Sequence, residues 1–222
     1  MEIYRKLYDH FGPQHWWPAQ TRTEMIVGAV LTQNTAWRNV ESALSILRSR
    51  NLLTLDALRA IPEKELATLI RVSGFFNVKA HRLKNLIQFI QNTYAGNLDS
   101  MFAQKQETLR EQLLGVSGIG AETADSILLY AGQIPSFVVD AYTRRIFFRH
   151  GLVTPSDDYS AIQHLFMRHL PRQAPLFNEY HALIVRTAKV YCKREPQCGA
   201  CPLGYLMPPT GDPFVSASRR SA

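Results

Sequence analysis

Three groups of residues in this chain have types and spacings that could do chemistry. The stretch GVSGIGAETADSILLYAG, from Gly115 to Gly132, reads as a glycine-punctuated turn opening directly into a helix. Gly118 and Gly120 permit positive φ and leave the backbone uncovered, so several amide N–H groups at the new helix start point outward together. A helix start of this kind is an anion site suited to one nucleic-acid phosphate, with Ile119 and Thr123 in the same turn. Eight residues beyond Gly132, Asp140 stands alone in SFVVDAYTRR. A single carboxylate there either serves as an acid, base or charge stabiliser for a bound substrate or caps the helix AYTRRIFFRH.

The second group is aromatic. HWWPAQ and VLTQNTAWRNV contain all three tryptophans, Trp16, Trp17 and Trp37. Tryptophans on helical faces mostly bury area in a core. A protein that holds a flipped base needs flat faces, and Trp16 or Trp17 against Trp37, with Pro18 beside them, would form that sandwich. The third group is Cys192, Cys198 and Cys201, spaced C-x5-C-x2-C in a basic loop. An odd, clustered set points to metal rather than to disulfides.

The elements that must position these residues are helical. RTEMIVGAVLTQ, WRNVESALSILRSRN, KELATLIRVS, KAHRLKNLIQFIQNTY, ETLREQLLGV, ETADSILLYAG and HALIVRTAKVYCK carry apolar residues at spacings of three and four. Only SFVVD has a short strand-like pattern, so the expected fold class is all-α. Connectors such as NLLTLDALRAIPEKE, VSGFFN and LVTPSDDYS are short and turn-like, and no free linker divides the chain. The expected organisation is a six-helix lobe over residues 21–133 and a second helical lobe from residues 1–20 plus 134–207. Residues 208–222, with PPTGDPFVSASRRSA, read as a loose tail.

The chain has 222 residues, enough for two small hydrophobic cores, and a net charge of +7 that favours a polyanionic partner. No apolar run is long enough to span a membrane, and no secretion signal is evident at the start. These features lead to the expectation of a cytoplasmic, nucleoid-associated protein without a membrane partner.

With its hairpin followed at this distance by Val139 and Asp140, the chain resembles the helix-hairpin-helix DNA glycosylases of the endonuclease III superfamily, over roughly Met1 to Leu203. The resemblance implies a two-lobed fold binding double-stranded DNA in a cleft, and a monomer. It makes Asp140 the catalytic carboxylate, stabilising an oxocarbenium-like sugar and orienting or deprotonating water. Bifunctional members carry a lysine two residues past the hairpin's last glycine, where this chain has Glu122. A carboxylate forms no Schiff base, so Glu122 in that catalytic position implies hydrolysis without strand cleavage. Lys79, Lys84 and Lys189 remain as amines that could reach a pocket.

WWP, GAVLTQNT, SGFFNVKAHRL, LLGVSGIGAETADSIL and VVDAYT are similar to the third, endonuclease III-like class of 3-methyladenine DNA glycosylases. That implies removal of alkylated purines such as 3-methyladenine. Ring alkylation gives the base a positive charge that indole faces attract by about 1–2 kcal/mol when water is excluded. The adenine-removing branch uses an acid where this chain has Ala29, between Gly28 and Val30. Gln33 and Asn34 resemble residues pushed into the gap left by a flipped nucleotide, and Gly74, Phe75, Asn77 and Lys79 offer themselves to the DNA backbone or the gap.

The superfamily's C-x6-C-x2-C-x5-C motif binds a [4Fe–4S] cluster. Here the first gap is one residue short and the fourth position is Met207, so the ligand set is incomplete. A cluster with an open or non-cysteine site, a [3Fe–4S] species, zinc with His181, and a metal-free loop all remain open. Two further readings stand beside the alkylpurine one: a glycosylase for damaged or mismatched pyrimidines with weak or no lyase activity, and a non-catalytic DNA-binding protein.

Overall fold

The computed structural model describes residues 1–206; Met207 and the expected tail at 208–222 lie outside the described residues. The described chain is all helical, with no strand among the described residues. It divides into two compact units, one of residues 17–134 and one of residues 1–16 with the chain from Pro135 onward. Among the described residues no helix is long and apolar enough to cross a membrane.

The unit of residues 17–134 holds α2 (Arg22–Leu31), α3 (Trp37–Ser49), α4 (Leu55–Ala60), α5 (Glu63–Leu69), α6 (Phe76–Tyr94), α7 (Leu98–Phe102), α8 (Gln106–Leu114) and α9 (Ala121–Ser126). Eight of the ten α2 residues are buried, which is why RTEMIVGAVL is apolar on nearly every side. Its start is capped by Thr21, which accepts the Glu24 N–H, while Glu24 Oε2 reaches one residue past the cap to accept the Gln20 N–H. The 19-residue α6 lays Ala80, Leu83, Leu86, Ile87 and Ile90 against that core, with α2, α4, α5 and α7 packed around it. Beyond Ser126 the α9 chain widens into a π turn, Ile127–Ala131, all five of whose residues are buried. At its end Gly132 meets Phe102, whose Cδ1 would lie 2.6 Å from an added Cβ.

The other unit holds α1 (Glu2–Phe11), α10 (Ala141–Arg149), α11 (Tyr159–His169) and α12 (Ala174–Val190). α1 packs on α12 through Tyr4 and Tyr180, ring centroids 5.4 Å apart, and His10 Nε2 bonds the Tyr191 hydroxyl at 2.9 Å. The core is aromatic: Phe137 stacks on Phe166 at 3.8 Å, with Phe147, Phe177 and Tyr180 around them. SFVVD is buried but forms no strand, because side chains rather than a neighbouring strand take its backbone groups. Gln163 Nε2 donates to the Phe137 carbonyl at 2.8 Å, and the Val139 N–H donates to the Tyr159 hydroxyl at 3.4 Å.

Between α8 and α9 lies an ion pair with unequal burial. Arg110 Nε and Nη2 donate to Asp125 Oδ1 and Oδ2 at 2.8 and 3.0 Å, and Asp125 is wholly buried while the Arg110 side chain is 25% exposed. Removing the arginine strands a buried charge, whereas removing the carboxylate leaves an arginine able to reach water. Urea unfolding should therefore show Arg110→Met costing about 3 kcal/mol, clearly more than Asp125→Ala.

Candidate functional site

The hairpin between α8 and α9 is built to keep its backbone bare. Ile119, 4% exposed, anchors the turn in the core, and its N–H donates to the Val116 carbonyl at 3.0 Å. Gly118 has φ +90°, and a Cβ there would stand 2.3 Å from Arg82 Cγ. Gly120 differs from the expectation of positive φ. Its backbone is extended, at φ −91° and ψ 178°, and a Cβ there would meet nothing within 4 Å. The glycine at 118 is thus required by conformation and packing; the one at 120 leaves open space over the amides that start α9.

Three side chains brace this turn from within. Gln33 Nε2 donates to the Gly118 carbonyl at 3.1 Å and to Thr123 Oγ1 at 2.9 Å, while Gln33 Oε1 accepts Arg82 Nη1 at 2.5 Å. Asn85 Nδ2 donates to the Ser117 carbonyl at 3.3 Å. Gln33 and Thr123 were expected at the DNA, but their polar atoms are spent inside the protein and Thr123 is buried. Glu122 lies exposed in the first turn of α9.

Lys79 requires a similar correction. Its side chain is 1% exposed, and its ammonium donates to the Leu31 carbonyl at 2.7 Å, the Ser73 carbonyl at 2.7 Å and Thr35 Oγ1. Burial, with the Arg82 charge second, lowers its pKa to about 8. This lysine ties together the 31–35 segment and the turn before α6. Lys84 is committed likewise, donating to the Leu58, Arg59 and Ile61 carbonyls. On the loops that Lys79 joins, Asn34 at φ 50°, Phe75 at φ 45° and Asn77 are exposed, and Phe75 is 68% open to solvent despite its aromatic ring.

Trp17 and Trp37 do not face each other as parallel rings. Trp17 and Trp37 meet edge to face, centroids 5.0 Å apart and planes at 84°, so they are in direct contact and present no parallel faces. Trp17 also packs on Tyr130 at 4.7 Å and over Gly28, where an added Cβ would lie 2.8 Å from Trp17 Cζ2. Tyr130, placed by the π turn and 2% exposed, backs Trp17 from the core, a contact that periodicity alone did not single out. Trp16 belongs to the other unit and Pro18 is exposed.

Asp140 is the N-cap of α10. Its Oδ1 accepts the Thr143 N–H at 2.7 Å and the Thr143 hydroxyl at 2.9 Å. Its Oδ2 lies 3.5 Å from Nε2 of His181 on α12, the two side chains being 13% and 9% exposed. Burial pushes the carboxyl upward, but the His181 bond and charge, with the two Thr143 bonds, outweigh it and hold the group below the usual carboxylate range. His181 thus faces the acid.

Cys192, Cys198 and Cys201 line one small enclosed space with Arg149 and Tyr191. Burial raises the Cys201 thiol, and the neighbouring Cys192 and Cys198 add to it against a backbone bond at Leu203. Arg149 Nη1 donates to Cys192 Sγ at 3.3 Å and to the Lys193 carbonyl at 2.6 Å. A four-thiolate cluster does not fit this donor set: the chain has three cysteines, and among the described residues no three His, Cys, Asp or Glu side chains are grouped to hold a metal ion.

Comparison with known proteins follows the same lines. The family model described as HhH-GPD superfamily base excision DNA repair protein matches residues 27–172. A Methanocaldococcus jannaschii chain whose name calls it a DNA repair glycosylase is 47% identical over 204 residues, covering 91% of this chain and 92% of that one. Endonuclease III of Thermotoga maritima is 28% identical over 205 residues, covering 90% and 88%. Among solved structures, the Helicobacter pylori 3-methyladenine DNA glycosylase bound to 1,N6-ethenoadenine superposes with a TM-score of 0.72 at 30% identity, covering 85% of this chain and 96% of that one. A trapped endonuclease III–DNA covalent intermediate superposes with a TM-score of 0.79 at 20% identity, covering 100% and 96%.

The two hairpin glycines should respond differently to a methyl group. Gly118→Ala should lose about 1–3 kcal/mol in urea unfolding, whereas Gly120→Ala should stay within about 0.5 kcal/mol of the parent.

Proposed function

This chain belongs to the HhH-GPD superfamily of base excision DNA repair proteins, and from that premise we propose that it is a monofunctional DNA glycosylase acting on alkylated purines such as 3-methyladenine. The observation that carries the hydrolytic part is the chemistry at the hairpin. Glu122 occupies the first turn of α9 where amine catalysis would need a lysine, and the amines of Lys79 and Lys84 are donors to scaffold oxygens. A protonated amine with its hydrogens so committed, fully buried at Lys79 and half-buried at Lys84, has no lone pair to offer a sugar carbon.

Asp140 supplies the remaining chemistry. Held ionised by Thr143 and His181, its carboxylate opposes the positive charge that develops on the sugar as the base departs. It then takes a proton from the attacking water, so that the product is an abasic site with both strands' phosphodiester bonds intact. The bare amides at the start of α9 hold a DNA phosphate, and exposed Asn34 and Phe75 fill the space left by the flipped nucleotide.

The substrate class rests on two supports. The 30% identical H. pylori relative is a 3-methyladenine glycosylase solved with a modified adenine. Partly buried Trp17 and Trp37, with buried Tyr130 behind Trp17, supply electron-rich indole edges and faces suited to a cationic base. An N-alkylated purine already leaves readily, so electrostatic help at the sugar suffices without a strong acid at the base.

Single-turnover assays on methylated duplex DNA should show Asp140→Asn slowed about 100- to 1,000-fold, with affinity for abasic-site DNA retained. Borohydride should trap no covalent adduct with the unaltered protein. Full activity of the Asn variant contradicts the role of Asp140, and a strong trapped adduct contradicts the monofunctional reading.

A further inference from the structure

We propose that His181 is a positioning residue for Asp140, holding the second carboxylate oxygen so that the group stays ionised and fixed in orientation through the reaction. The inference rests on the reading of Asp140 as the catalytic carboxylate and goes beyond it by assigning a task to a histidine 41 positions later in the sequence.

Helix capping explains only half of what is seen at Asp140. A cap needs one oxygen, and Oδ1 fills that need with the Thr143 N–H at 2.7 Å. Most capping carboxylates leave the other oxygen to water. Here Oδ2 is turned into the protein, 3.5 Å from His181 Nε2, and both side chains are at least 87% buried. Burying a carboxylate and an imidazole together is a costly way to start a helix, and a buried ion pair contributes little net stability. The arrangement instead suits a carboxylate that must carry full charge when positive charge appears nearby.

The surroundings leave His181 as the one titratable partner among the groups that lower the Asp140 pKa. Thr143 is neutral. On the same helix Arg144 donates to the Asp157 carbonyl and Arg145 lies over the Tyr142 ring at 5.2 Å. On α12, Glu179 accepts the Gln14 N–H at 2.7 Å and Tyr180 sits in the aromatic core. Loss of the imidazole therefore leaves burial opposed only by Thr143.

The sign of the effect follows directly. Without His181 the Asp140 carboxyl titrates at higher pH, so the acidic limb of the excision rate moves up. The test is a single-turnover pH–rate profile on methylated duplex DNA for the unaltered protein, His181→Phe and His181→Gln, with Asp140→Asn in parallel and circular dichroism confirming the fold. The expected result is an acidic limb shifted up by about one pH unit or more in His181→Phe, and a smaller shift in His181→Gln, which keeps a polar N–H donor at that position. If His181→Phe does not fold, the His181→Gln shift alone decides. A uniform rate loss with the limb unmoved overturns the proposal while leaving Asp140 in place. An active Asp140→Asn variant overturns the underlying reading instead.

Discussion

The constraint on which the proposed chemistry of this chain depends is that a carboxylate must remain charged where burial opposes charge. Asp140 meets it with two directed donors from Thr143, one turn into the helix it caps, and with the His181 imidazole of α12 standing 3.5 Å from its other oxygen. Each partner needs its own support. Thr143 is placed by the start of α10, and α12 is held by α1 and by the stack of Phe137, Phe166 and Tyr180. The buried SFVV segment leads the chain into Asp140 with its backbone satisfied by Gln163 and Tyr159, so the acid is fixed from the N-terminal side as well.

The unit of residues 17–134 solves the opposite problem, keeping polar groups open instead of buried. Backbone amides at a turn are useful to a phosphate only if no side chain covers them, and a bare turn is mobile unless something else stiffens it. Gln33, Arg82 and Asn85 stiffen it from behind, through carbonyl oxygens of the turn and of the Gln33 amide. Lys79 does comparable work one layer down, where a single ammonium joins residues 31, 35 and 73 and so fixes two exposed loops relative to each other. Polar residues that look like surface ligands thus form a frame under the exposed loops.

That distinction marks the limit of what the sequence revealed. The all-α class and most long helices were legible because apolar spacing of three and four is a local signal. α4 and α7, of six and five residues, are too short to show it, and α11 lay partly within a stretch read as a connector. The hairpin and the capping role of Asp140 were legible from glycine and acid spacing. The bracing by Gln33, Thr123 and Lys79 was not, since their partners lie 6 to 90 residues away. Nor does a sequence encode ring orientation in any local pattern, and Trp17 and Trp37 pack edge to face where parallel faces were one expectation. His181 drew notice as a metal ligand because histidine suits both roles; only its distance to Asp140 separates them.

The central claim, that this chain removes alkylated bases by hydrolysis and leaves the strand intact, is tested most directly by a panel of duplex oligonucleotides. Each carries one lesion, with alkylated purines and damaged or mismatched pyrimidines both represented, and each product is run with and without alkali. The account predicts release of 3-methyladenine, with strand breaks appearing only after alkali. Strand breaks without alkali, or release of pyrimidine lesions with alkylated purines left in place, would contradict it.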